Sequence, residues 1–183
     1  DYIYGQQITY ANYKDGKVDM VLYTLNDENY THKKEFYYSN GKLQEVFFYK
    51  GDYKYGPFKR YYDTGDLYLS TTFKNSKFNG PYTYYYTSGA IKEEGEFLNG
   101  ERNGEVIRYF KNGNILEKLT YVNGKVDGML KMYHENGNLE MRQRWEKGTV
   151  VALIDYFLED GTQTLENGNG VMKLYHDNGT LDF

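Results

Sequence analysis

A seven-residue phrase returns every 24 residues through the middle of this chain. It reads Tyr37-Tyr-Ser-Asn-Gly-Lys-Leu, Tyr61-Tyr-Asp-Thr-Gly-Asp-Leu, Tyr85-Tyr-Thr-Ser-Gly-Ala-Ile, Tyr109-Phe-Lys-Asn-Gly-Asn-Ile and Tyr133-His-Glu-Asn-Gly-Asn-Leu. Two further columns keep the same step, one aromatic (Tyr49, Phe73, Phe97, Tyr121, Trp145) and one of glycine (Gly56, Gly80, Gly104, Gly128). Columns that share one period mean that a single supersecondary unit is repeated, each copy completing its neighbour's core. Residues 32–161 hold about five such copies. Residues 1–31 form an atypical N-terminal cap with a partial repeat, and 162–183 a shortened C-terminal one, within a single repeat domain of 183 residues.

Each copy reads as strand, tight turn, strand, longer turn. The turn glycines Gly41, Gly65, Gly89, Gly113 and Gly137 follow Asn, Thr, Ser, Asn and Asn, a pairing that suits a two-residue type I′ hairpin turn. The second turn, as in Asn99-Gly100-Glu-Arg-Asn-Gly104, is expected to be longer, with glycine at both ends. Pro57 and Pro81 stand just after a turn glycine, where a strand begins and a lost N–H costs least. No stretch keeps a helical period, so the fold class is all-β, a single-layer antiparallel sheet of tandem hairpins. The 23 tyrosines then carry much of the burial that aliphatic residues carry elsewhere.

The unit 80–104 resembles the bacterial variant of the MORN repeat. That resemblance implies an elongated sheet of successive hairpins and non-catalytic roles: scaffolding, self-association, partner binding, antitoxin- or immunity-like inhibition, and membrane-lipid contact in some relatives. Choline- and glucan-binding repeats are also aromatic hairpin arrays, but they rely on tryptophan, and this chain has only Trp145.

Strand alternation predicts which side chains share a face. A two-residue turn at Thr64-Gly65 pairs Tyr62 with Leu67 and Arg60 with Leu69, so Phe58, Tyr62, Leu67, Leu69 and Phe73 form an apolar face. The opposite face then carries Lys59, Tyr61, Tyr68, Ser70 and Thr72. It is polar except for Tyr37, Tyr61, Tyr85, Tyr109 and Tyr133, the candidate binding surface. An extra bulge residue at the turn would shift the facing of one strand and bring the tyrosine row to the apolar side.

Other chemistries find little support. The net charge of −4 opposes binding to nucleic-acid phosphates and to anionic lipid headgroups. Residues 149–183 hold six acids and one base, a pattern that keeps an exposed end soluble. His32, His134 and His176 lack ligand spacing, so no metal is expected. The turn Asn26-Asp-Glu-Asn29 reads as solvated rather than as a calcium loop. Glu93 and Glu94 are adjacent on a strand and point to opposite faces, which rules out a shared acid–base role. No cofactor motif and no enzyme active site are expected. A protein partner, including a second copy, is the first expectation for a ligand, and a cell-surface glycan the second. The absence of cysteine leaves the compartment open, and a start at Asp1 rather than Met leans towards a bacterial envelope or secreted setting.

Overall fold

The computed structural model describes residues 7–170, and the backbone of 174–175 and 181–182. Every strand pairing in it is antiparallel, and no helix occurs among the described residues. The fold is therefore all-β, a single-layer sheet of tandem hairpins. The chain divides into two compact units, Asp1–Glu101 and Arg102–Phe183.

In the first unit, the hairpin Gln7–Lys14 and Lys17–Thr24 precedes the strand His32–Tyr37. The intervening loop is held by the Asp27 carboxylate, which accepts the backbone N–H of Asn29 and Tyr30. The hairpins then repeat: Leu43–Lys50 with Tyr53–Tyr61, and Leu67–Lys74 with Lys77–Phe78 and Gly80–Tyr85, ending on Ile91–Leu98. In the second unit Gly104–Tyr109, Ile115–Val122, Gly128–Tyr133, Leu139–Glu146 and Thr149–Phe157 pair in chain order, closed by Gln163–Glu166. The resumption of the repeat over 170–179 lies outside the described residues apart from the backbone of Gly170, Leu174 and Tyr175.

The two turn types are the reverse of the sequence expectation. At the phrase glycines, the Tyr62 N–H donates to the Asp66 carbonyl and the Gly65 N–H to the Tyr62 carbonyl. The same pair of bonds recurs at Tyr38, Tyr86, Phe110 and His134. Only the glycine takes positive φ, 94° at Gly65, so this is a three-residue loop with a type I turn and a glycine bulge. The two-residue type I′ turns are instead the second ones. Asn75-Ser76, Asn99-Gly100, Asn123-Gly124 and Lys147-Gly148 all have positive φ at both residues.

A register shift follows from the larger loop. Arg60 pairs with Leu69 as expected, but Tyr61, not Tyr62, pairs with Leu67. The same bulge recurs at Tyr37–Leu43, Tyr85–Ile91, Tyr109–Ile115 and Tyr133–Leu139. Leu67 thereby leaves the apolar face for the tyrosine face. Tyr68 goes the other way: its ring lies 5.0 Å from Tyr62 and 5.3 Å from Tyr84, and Tyr84 pairs with Leu69.

The apolar face is built on the aromatic and glycine columns. Phe73 stands opposite Gly56, Phe97 opposite Gly80, Tyr121 opposite Gly104 and Trp145 opposite Gly128. In the first unit the rings overlap in series, with Phe58–Phe73 at 5.3 Å, Phe73–Phe78 at 4.6 Å, Phe78–Phe97 at 5.3 Å and Tyr82–Phe97 at 4.4 Å. Each such pair adds about 0.5–1.5 kcal/mol beyond simple burial. Phe47, Phe58, Leu69 and Tyr82 are 2% exposed and Val106 0%. Side chains of neighbouring strands thus cover these residues within one chain, while Phe73, Phe78, Tyr121 and Trp145 on the same face stay half-buried.

Hydrogen bonds lock successive hairpins in register along both turn edges. The Tyr38 hydroxyl donates to the Tyr61 carbonyl at 2.8 Å and the Tyr62 hydroxyl to the Tyr85 carbonyl at 2.7 Å. Asn40, Asn112 and Asn136 donate side-chain N–H to the carbonyls of Asp63, Glu135 and Glu159. At the other edge, Gly100 donates to Phe78, Gly124 to Arg102 and Gly148 to Val126 through the backbone.

Candidate binding surface

Each tyrosine of the candidate row sits at the end of a strand, one residue before the glycine-bulge turn, and is half-buried. Its cross-strand partner is aliphatic: Leu43, Leu67, Ile91, Ile115 or Leu139. Directly opposed residues project to the same face. The row is therefore Tyr alternating with Leu or Ile, where strand alternation from a two-residue turn had left the tyrosines among polar neighbours. The aliphatic column was visible in the repeated phrase, but its facing depended on the bulge.

In the first unit the structure brings Tyr37, Tyr61 and Tyr85 to one face, in hairpins tied by the Tyr38 and Tyr62 hydroxyls. Tyr37 is anchored. Its hydroxyl donates to the Glu35 carboxylate at 2.6 Å, which also accepts the Tyr23 hydroxyl at 2.9 Å. Lys33 pairs with the same carboxylate at 3.1 Å and lies over the Tyr23 ring. Burial alone would push Glu35 up, but the Tyr37 hydroxyl, Lys33 and the Tyr23 hydroxyl together hold it below its ordinary value. Burial, and then the Glu35 charge, push the Tyr37 and Tyr61 phenols up. Tyr37 also borders a cavity with Tyr38, Ser39 and the Lys14–Asp19 hairpin.

In the second unit Tyr109, Ile115 and Tyr133 line a shallow groove together with Gly113, Asn114 and Gly137. Asn114 is fixed by donation to the Glu135 carbonyl at 2.8 Å. Two aromatic rings and an aliphatic side chain thus border one space, beside a fixed polar side chain.

Of the histidines, His134 occupies the column of Tyr38 and Tyr62, and its Nε2 is 3.0 Å from the Phe157 carbonyl, in the clamping position of those hydroxyls. His32 contacts Thr31, and the side chain of His176 lies outside the described residues. Among the described residues no group of three or more His, Asp or Glu side chains is placed to hold a metal ion. Glu93 is buried and accepts the Tyr82 hydroxyl at 2.7 Å. Asp155, 1% exposed, pairs with Arg142 and accepts N–H groups from Gln163 and the Asn167 backbone. These carboxylates are bound into the sheet and serve its structure.

Fold and surface together define a tandem-hairpin repeat protein, with tyrosines in series on one face of the first unit and a tyrosine-flanked groove in the second. The model of the MORN repeat variant matches residues 33–50, 54–75, 78–99, 102–123 and 126–156. The chain belongs to the MORN repeat variant family, with five repeats over 33–156. No curated protein matches it.

Proposed function

We propose that this chain is a non-catalytic protein-binding module whose contact residues are Tyr37, Tyr61 and Tyr85 in the first unit and Tyr109 and Tyr133 in the second, each set with its interleaved Leu or Ile. The observation that carries this reading is the recurring Tyr–Leu/Ile cross-strand pair, which the bulged turn places on the face away from the apolar core. Tyrosine offers a large, stiff contact area at low entropic cost, and an apolar floor beside it favours side chains over water. Backbone and turn bonds hold the row before any ligand arrives, which lowers the cost of binding.

The test is selection of short peptides from a random displayed library against the full chain, then against a Tyr61→Ala, Tyr85→Ala, Tyr109→Ala triple variant. Selected peptides are expected to bind the triple variant at least tenfold more weakly, at unchanged far-UV circular dichroism. Equal binding would remove the row from the site. A glycan reading has one observation in its favour, the regular row of half-exposed aromatic rings. Sedimentation with insoluble peptidoglycan that the triple variant loses, with no peptide selected, would replace the protein reading with that one.

A further inference from the structure

We infer that the segment this row accepts is a left-handed polyproline II helix carrying proline at every third position. The inference rests on the protein-binding reading above and narrows it to one ligand conformation. Three observations carry it.

Spacing comes first. Successive tyrosines of the row are separated by two inter-strand steps, about 9.6 Å. The hairpins carrying Tyr37, Tyr61 and Tyr85 are tied to one another by the Tyr38 and Tyr62 hydroxyl bonds. A polyproline II helix rises about 3.1 Å per residue with three residues per turn, which returns a side chain to the same side every ~9.3 Å. Over the two steps from Tyr37 to Tyr85 the mismatch stays under about 1 Å. An extended strand lying along the same row presents same-side residues about 6.8 Å apart and falls out of step at the first rung.

The shape of the slot comes second. Tyr109, Tyr133 and Ile115 line one groove, so an aliphatic side chain and two aromatic rings border the same space. A pyrrolidine ring is flat, apolar and rigid, and it brings no N–H that would lie unsatisfied in the slot. Aromatic-lined grooves recognise such helices because the ligand is already ordered before binding.

The third observation is the interleaving itself. Leu43 and Leu67 stand opposite Tyr37 and Tyr61 as Ile115 stands opposite Tyr109. The same pair therefore repeats along the first unit, one pair for each proline of a Pro-x-x-Pro-x-x-Pro segment.

The experiment uses three fluorescent peptides of equal length and composition, with prolines spaced two, three or four residues apart, titrated against the full chain by fluorescence anisotropy. The three-residue spacing is expected to bind at least tenfold tighter than the other two. Leu67→Lys, which charges the floor without touching the buried face, is expected to weaken it at least tenfold with an unchanged melting temperature. Equal affinity for the three spacings, or no binding by any, overturns the inference. If proline-free peptides from the library still depend on the tyrosines, the protein-binding reading survives that result. If none do, both fall. Displacement of the three-spaced peptide by a soluble chito-oligosaccharide, with no preference among spacings, also overturns it in favour of a glycan. The spacing comparison is made on the unaltered protein, so it decides the question even if Leu67→Lys fails to fold.

Discussion

Two glycines of one column show how differently the same residue is required. Gly56 and Gly128 both stand opposite an aromatic ring with positive φ, 81° and 103°. A Cβ at Gly56 would lie 2.4 Å from the Tyr30 ring, whereas one at Gly128 meets nothing within 4 Å. Gly128→Ala should cost only the left-handed backbone penalty, about 1–2 kcal/mol. Gly56→Ala should cost more, because Tyr30 must also leave its place against Phe48. Urea unfolding of both variants checks the order, and a milder Gly56→Ala would refute it. Glu35 is the other telling residue. Its folded pKa is lowered, so its contribution is present above the ordinary value of 4.5 and is lost as pH falls below it. Glu35→Gln should therefore flatten the acid limb of stability below about pH 4.5. Thermal melts between pH 7 and pH 3 would show an unaltered limb if the Tyr23–Glu35–Tyr37 cluster were unimportant.

The hairpin is the scale at which sequence reading went astray, and the signal that would have corrected it was present. Both turns carry Asn-Gly, at Asn112-Gly113 and at Asn123-Gly124, so the dipeptide does not tell them apart. The first-turn column also contains Thr64 and Ser88. A β-branched threonine resists the positive φ that a type I′ turn demands of its first residue. Those positions pointed to a turn in which only the glycine is left-handed, as the structure has it. The consequence reaches the binding surface, since the extra loop residue moves Leu67 and its equivalents beside the tyrosines. Another element-level feature is a cost rather than a gain. Lys118 pairs directly with Lys131, and Lys131 with Arg142. Among the described residues neither lysine has an ion-pair partner. Like charges directly opposed across strands are destabilising, so Lys118→Glu should raise stability by about 0.5 kcal/mol in low salt, and by less in high salt. A loss of stability in denaturant titration would mean that the lysines are held apart by other contacts.

For the molecule as a whole, stability is distributed along the array rather than gathered in one centre. Within each unit neighbouring hairpins are fastened by recurring turn-edge bonds, so the repeats there contribute nearly independent terms with nearest-neighbour coupling. The most deeply buried residues of the apolar face, Phe47, Phe58, Tyr82 and Val106, are covered by side chains of the same chain, at 2% exposure or less. Light scattering at micromolar concentration is therefore expected to give the single-chain mass of 21.6 kDa. A doubled mass would mean that the tyrosine row, rather than the apolar face, meets a second copy, and the row variants would then restore the smaller mass.

By itself the sequence determined the repeat, its 24-residue period, the all-β class and the residues that form each column. Those follow from periodic placement of glycine and aromatic residues, which acts locally and is legible in one dimension. Only the tertiary structure decided which columns share a face. That choice depends on a one-residue bulge beside each first turn, and a one-residue change in register carries a side chain to the other side of a sheet. Nor did composition decide whether the aromatic face needs a cover, because burial there arises from rings of neighbouring strands lying over one another.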